Sequence, residues 1–295
     1  REAAVGLRPT LELDDGQPAE PTPHPYPEEP VVFPRQMEYL DRGIVAVRTD
    51  QSSAYVSWRL LGTDPAEGGF NLYRSTGGGP VVRLNGAPIT QTTDFVDSTI
   101  DFAFANEYFV RPVLDSVELE PSKSYQIATL SPIRQYLSVP LQVPPNAVIT
   151  LPPGTQTPPS NHVAVQSYSP GDLSVGDLDG DGEYEIIVKW DPSFARDNSH
   201  EGLTGNVYVD AYKLNGELLW RVDLGKNIGA GAHYTQFMVY DLDGDGRAEI
   251  AMKTASGTID GQGQFVLLPG DNPAADYRDG YTGGNDGRWG RVLAG

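Results

Sequence analysis

The residues best placed to do chemistry form one short stretch that occurs twice. It reads Asp177-Leu-Asp-Gly-Asp-Gly-Glu-Tyr-Glu185, then Asp241-Leu-Asp-Gly-Asp-Gly-Arg-Ala-Glu249. In each copy, carboxylates at positions 1, 3, 5 and 9 are set to converge on a loop. Its two glycines permit the tight, partly left-handed backbone such a loop needs. That much like charge calls for a hard, oxygen-seeking cation, and calcium, with its flexible oxygen coordination, fits best. The first loop offers Asp177, Asp179, Asp181, the Glu183 carbonyl and Glu185. The second offers Asp241, Asp243, Asp245, the Arg247 carbonyl and Glu249. An EF-hand instead closes on a later glutamate, between helices. Here the loops run into Ile186–Trp190 and Ile250–Lys253, which read as strands. A solvated acidic turn is the plainer reading, and it must explain the same spacing twice.

The elements that position these loops repeat with them, at an offset of 64 residues that also relates Lys189 to Lys253. Between the copies, Asn206–Lys213 alternates like a strand, Leu214-Asn-Gly-Glu217 supplies an Asn-Gly hairpin, and Leu218–Val222 is the return strand. Strand, acidic loop, strand, hairpin and strand make one blade of a β-propeller. Upstream, Ile44–Arg48, Ala54–Leu60, Phe70–Arg74 and Asn106–Val113 are strand-like runs separated by Gly, Pro, Asn and Asp. They predict a small β-sandwich like fibronectin type III, with Ala54, Val56 and Trp58 on one face. Phe70, Leu72 and Arg74 share a face in the third run. The expected fold is all-β: tail 1–34, sandwich 35–140, Pro-rich linker 141–160 and calcium-binding propeller blades 161–295.

Composition bounds the rest. The chain has 295 residues, no cysteine and a net charge of −19, which argues against nucleic acid or an anionic membrane as partner. No stretch approaches a transmembrane span. The chain opens on Arg1 rather than a methionine, which fits the expectation of an export leader either removed or never included. Prolines 18, 21, 23, 25, 27 and 30 break regular structure in the tail.

A resemblance then becomes specific. Leu173–Pro192, Asp197-Asn-Ser, Gly205–Gly216 and Leu224–Gly246 resemble the first blade of rhamnogalacturonan lyases of polysaccharide lyase family 11. Arg35–Gly43 resembles that family's N-terminal domain, and the likeness runs to Gly295. It implies a β-sandwich before an eight-bladed, calcium-rich propeller, and a secreted, monomeric enzyme. Its substrate would be the pectic polysaccharide rhamnogalacturonan I, cleaved by β-elimination. Eight such blades need roughly 500 residues, while about 135 follow Asn161, so the expectation is an incomplete propeller. The resemblance places Asp191 and the turn Gly171-Asp172 at the cleft, and Gly171 departs from an asparagine in the family pattern. Asp191 has no counterpart in the second copy, where Ala255 stands, which also sets it apart from framework; an Asx-turn before Pro192 is the competing reading. His233, among small residues in Gly231–Gln236, is compatible with a ligand or proton-transfer role, against a hydrogen-bonded histidine between blades. Lys189 and Lys253 are expected to pair with the acidic loops, the alternative being to meet galacturonate carboxylates. The second functional class is a non-catalytic, calcium-stabilised propeller for glycan binding or adhesion.

Overall fold

Apolar residues at every second position govern the first half of the chain. Ala54, Val56 and Trp58 are buried while Tyr55 is exposed, the alternation of a half-buried antiparallel strand. A computed structural model describes residues 37–152, 155, 164–195, 203–231 and 233–278, and among them there is no helix. The Pro-rich tail 1–34, Asp197–Ser199 and the closing residues Gly290–Gly295 lie outside the described residues.

The first eight strands are β1 (Val45–Arg48), β2 (Ala54–Ser57), β3 (Gly69–Thr76), β4 (Val81–Arg83), β5 (Asp94–Asp97), β6 (Asn106–Leu114), β7 (Val117–Glu118) and β8 (Tyr125–Ile127). They form two antiparallel sheets, β1-β2-β5 and β4-β3-β6-β7, with β8 also on β6. Both sheets bury one core. Val56 and Trp58 meet Phe70, Leu72, Tyr108 and Val110, and the Trp58 ring stands edge-on to Phe70 at 5.6 Å. Arg74 follows its face inward as the alternation requires, so its charge must be met inside. Asp97 meets it with a direct ion pair and also accepts from Tyr108 Oη at 2.8 Å and from the Thr99 amide at 2.9 Å. Burial raises the Asp97 carboxyl, but these donors outweigh it and hold the group below its ordinary range.

The second half adds β9 (Ala147–Val148), β10 (Val165–Gln166), β11 (Tyr168–Gly176), β12 (Glu185–Pro192), β13 (Tyr208–Tyr212), β14 (Leu218–Asp223), β15 (Phe237–Tyr240) and β16 (Glu249–Met252). β11-β12-β13-β14 is a four-stranded antiparallel sheet, and β15-β16 is a hairpin at the repeat offset. The acidic stretches are the turns of two matching hairpins, closed by the pairs Gly176–Glu185 and Tyr240–Glu249. The repeat stops there among the described residues, because positions 272–276, equivalent to β13, carry no strand. The Asn-Gly hairpin is a three-residue loop: the Gly216 amide donates to Lys213 O and the Lys213 amide to Glu217 O, each at 2.9 Å. Gly216 sits at φ +88°, the left-handed residue that such a loop requires.

Two apolar clusters hold the second half. Ile187, Val207, Val209 and Val222 pack with Val239, Ile250 and Met252, joining the four-stranded sheet to the β15-β16 hairpin. Tyr168, Val188, Trp190 and Tyr212 pack with Leu141 and Ala147. The Pro-rich connection is therefore docked rather than free where Leu141 and Gln142 cross the sheet. Gln142 O accepts from Arg221 Nη2 at 2.5 Å, and the Gln142 amide donates to Tyr212 Oη at 3.1 Å.

Asp97→Ala should strand Arg74 in the first core and cost about 3–5 kcal/mol in urea unfolding, as expected for half of a buried ion pair. The double replacement Arg74→Met with Asp97→Leu should recover most of that loss. A single Asp97→Ala that unfolds like the parent would show that Arg74 escapes to solvent.

Candidate functional site

Each acidic loop is built by its own aspartates before any ion is considered. Asp177 Oδ1 accepts from the amides of Gly180 at 2.8 Å and Asp181 at 3.0 Å, and its Oδ2 accepts from Gly182 at 2.8 Å. Asp241 does the same for Gly244 at 2.6 Å and Gly246 at 3.2 Å. The ninth-position carboxylates close the loops: Glu185 and Glu249 accept from the amides of Leu178 and Leu242, both at 2.8 Å. Gly180, Gly182, Gly244 and Gly246 all take positive φ, between 77° and 93°.

This geometry gathers Asp177, Asp179 and Glu185, and likewise Asp241, Asp243 and Glu249, with one oxygen from each residue of a trio lying within 4.8 Å of the others. A close set of hard oxygen donors, with Asp177, Glu185 and Asp241 nearly inaccessible to solvent, fits a divalent cation. The fifth-position aspartates stand outside the trios. Asp181 faces Lys213 at 3.1 Å and Lys123 at 3.6 Å, and exposed Asp245 accepts from the Arg247 amide at 2.9 Å. The Glu183 side chain turns to Arg59 at 3.5 Å, and that of Arg247 lies over Gly180.

The electrostatics follow. Burial, helped by the charges of Asp179 and Asp181, pushes the Glu185 carboxyl up to about 7. Burial also raises Glu183. Asp181 is pushed up by burial, but the Glu183 amide and Lys213 outweigh this and hold it low. Lys213 bridges Asp179 at 2.5 Å and Asp181 at 3.1 Å, and these hydrogen bonds lift its ammonium above the ordinary lysine range.

A second constellation lies on β11 and β12. The register of this pair slips between Pro170 and Leu173, a bulge that re-aims Asp172. Asp172 meets the buried Lys189, whose ammonium also stands 3.7 Å from Asp191. Lys189 therefore pairs with these two aspartates and not with the acidic loops, which corrects the sequence expectation; the lysine on the loop is Lys213. Asp191 is a strand residue opposite Ser169, so an Asx-turn does not account for it. Its Oδ1 is buried without a hydrogen bond, and burial, with the Asp172 charge adding to it, raises its carboxyl despite Lys189. Gly171 is matched to this packing, since a Cβ there would overlap the Asp191 carboxylate. His233 is exposed on the turn before β15, and Lys253 is exposed beyond β16.

Sequence reasoning missed the partners that come from far along the chain. Lys213 reaches Asp179 across 34 residues and Lys123 reaches Asp181 across 58. No local spacing marks either one.

Known families and structures resemble this all-β chain along most of its length. A family model described as rhamnogalacturonan lyase family 11, C-terminal domain, matches residues 136–293. A second, the rhamnogalacturonan I lyase β-sheet domain, matches residues 35–128. The chain belongs to rhamnogalacturonan lyase family 11. It is 48% identical over 261 residues to the rhamnogalacturonan endolyase YesW of Bacillus subtilis (strain 168), covering 88% of this chain and 36% of that protein. It is 48% identical over 263 residues to the exolyase YesX of the same organism, covering 88% and 37%. The crystal structure of YesX superposes with a TM-score of 0.71 at 47% identity, covering 88% of this chain and 37% of that one. A Bacillus licheniformis rhamnogalacturonan lyase gives 0.68 at 47% identity, covering 88% and 39%. The chain thus spans little more than a third of the length of these relatives.

The Glu185 shift sets a pH dependence. Its folded-state value lies above the unfolded one, so without metal the folded state holds the proton more tightly. Stability is then retained below the unfolded value of 4.5 and lost as pH rises toward about 7. Thermal melts in chelator should fall across that window by at most the equivalent of ~3 kcal/mol, and Glu185→Gln should flatten the profile. A chelated protein whose melt rises from pH 5 to 7 would contradict the assignment.

Proposed function

We propose that this chain serves a lyase that cleaves the rhamnose–galacturonate backbone of rhamnogalacturonan I by β-elimination. The observation that carries the reading is the aspartate pair gathered around buried Lys189, one strand beyond the first acidic loop, in a chain of this family. In the elimination a base takes the galacturonate C5 proton. Its electron pair becomes the C4–C5 double bond, and the 4-O-glycosyl oxygen departs and is protonated. Electron density moves onto the uronate carboxylate, so the site must present positive charge there and hold the sugar in register.

Asp172, largely exposed, and Asp191, with an unsatisfied oxygen, are the proposed acceptors for sugar hydroxyls. Lys189 fixes both and cancels one of their charges, which lets two aspartates face a polyanion. His233 is assigned a proton-transfer or ligand role on the same wall. The two trios are assigned to calcium: Asp177, Asp179 and Glu185 with the Glu183 carbonyl, and Asp241, Asp243 and Glu249 with the Arg247 carbonyl. Asp181 and Asp245, at the fifth position of each loop, are assigned as further ligands of the same ions. When bound, the ion supplies charge neutralisation that keeps the hairpins folded.

The sheet order of the first half, three strands against four plus β8, supports a fibronectin type III-like sandwich over 35–140. The four-stranded sheet followed by a repeated hairpin supports propeller blades over 161–295, with 141–160 as the connection. A secreted, monomeric protein with neither nucleic acid nor membrane as partner is the matching cellular assignment. A non-catalytic adhesion or glycan-binding propeller would need only the acidic loops, and the family match over 136–293 supports the lyase instead.

Made in an active protein carrying this chain, Asp191→Asn should lower kcat/KM on rhamnogalacturonan about ten-fold or more, the worth of one charged hydrogen bond, with the melting temperature intact. The assay reads ultraviolet absorbance of the unsaturated uronate product, and equal rates on homogalacturonan would break the substrate assignment. Chelation should lower the melting temperature, calcium and not magnesium should restore it, and Asp179→Ala should mimic chelation. A melt indifferent to chelator would remove calcium from the account.

A further inference from the structure

The segment Glu38–Arg42, just before β1, runs across both acidic loops. The amides of Tyr39 and Asp41 lie two residues apart on one side of the extended chain. Tyr39 donates to Gly246 O at 3.0 Å and Asp41 to Gly182 O at 2.8 Å. Gly182 and Gly246 are the sixth residues of the two loops, related by the repeat. The extended segment therefore reads both copies at the same position. Each glycine is required there, because a Cβ on Gly246 would overlap the Tyr39 ring and one on Gly182 would lie 3.0 Å from Asp41 N. Glu38 Oε1 accepts from the Asp177 amide at 2.7 Å, at the first residue of the first loop.

The sandwich body reinforces this contact. Arg59 donates to Gly182 O at 3.1 Å and Asp41 O at 3.0 Å, and its guanidinium lies over the Tyr184 ring. The Lys123 amide donates to Asp41 Oδ2 at 2.7 Å while its ammonium donates to Asp181 O. The loops are also joined directly, from the Ala248 amide to Asp177 O at 2.8 Å.

We infer that Glu38–Asp41 is a clasp through which metal occupancy of the two loops controls attachment of the N-terminal sandwich. This rests on the metal reading given above. The clasp binds the Gly182 and Gly246 carbonyls only where the loops hold their left-handed turns, and an ion at each trio fixes those turns. Coupling of this kind is reciprocal, so the clasp must in turn favour the ion.

The test uses the whole chain and two measurements. Calcium binding is titrated by calorimetry, and amide hydrogen exchange of the peptide spanning 37–43 is followed with calcium and with chelator. Calcium should slow exchange there about five-fold or more, the lower end of ordinary site-to-site coupling, while strands β3 and β6 change little. Glu38→Gln and Arg59→Met should each weaken calcium binding by a similar factor, with the sandwich still melting cooperatively. Two ions bound with unchanged exchange at 37–43, or variants that bind calcium like the parent, would overturn the clasp. No heat of binding would instead overturn the metal reading and take the clasp with it.

Discussion

Keeping carboxylates close together, several of them buried, is the constraint on which the second half of this structure depends. Three carboxylate oxygens within 4.8 Å, in each of two hairpin turns, repel one another, and those of Asp177, Glu185 and Asp241 belong to buried residues. The loop backbone answers first, by turning its amides inward onto Asp177 and Asp241, and only glycine at positions 4 and 6 allows that turn. Neighbouring elements answer next. β12 and β16 begin on the closing glutamates, and Lys213 arrives from the end of β13. The hairpins, their register and the segment before β1 are arranged around this one electrostatic problem.

Elsewhere the same chain buries carboxylates that are each met by several donors. Asp97 is met by Arg74, Tyr108 and Thr99. Asp210 takes the Trp190 indole at 2.7 Å, the Tyr212 hydroxyl at 2.6 Å and the Arg221 guanidinium. Carboxylates held by so many donors specify packing. Asp191 differs, because its buried Oδ1 lacks a hydrogen bond and its carboxyl is raised. The contrast between saturated and unsaturated buried carboxylates separates framework from chemistry here more sharply than residue type does.

The sequence made the periodic and the local legible. Alternation at Ala54, Val56 and Trp58 and the doubled acidic motif follow from spacing alone, so the strands and the trios were readable. Two kinds of feature were not. A bulge is a slip of register, and nothing in Pro170–Leu173 announces that Asp172 will be turned toward Lys189. Long-range partners are set by how sheets stack, so a repeated lysine looked like the natural mate of the repeated loop. In the fold, Lys189 goes to Asp172 and Asp191, and Lys213, reached through a three-residue hairpin, takes the loop.

Lys213 makes two nearly identical motifs electrically unequal. The first loop carries an ammonium within 3.1 Å of Asp179 and Asp181, supplied by the chain itself. Among the described residues, no lysine or arginine is paired with the second trio. One copy holds part of its counter-charge as a covalent endowment, and the other draws all of it from the surrounding medium. The repeat keeps its spacing while the source of neutrality differs, so the chain is anchored at one hairpin and answerable to its solution at the other.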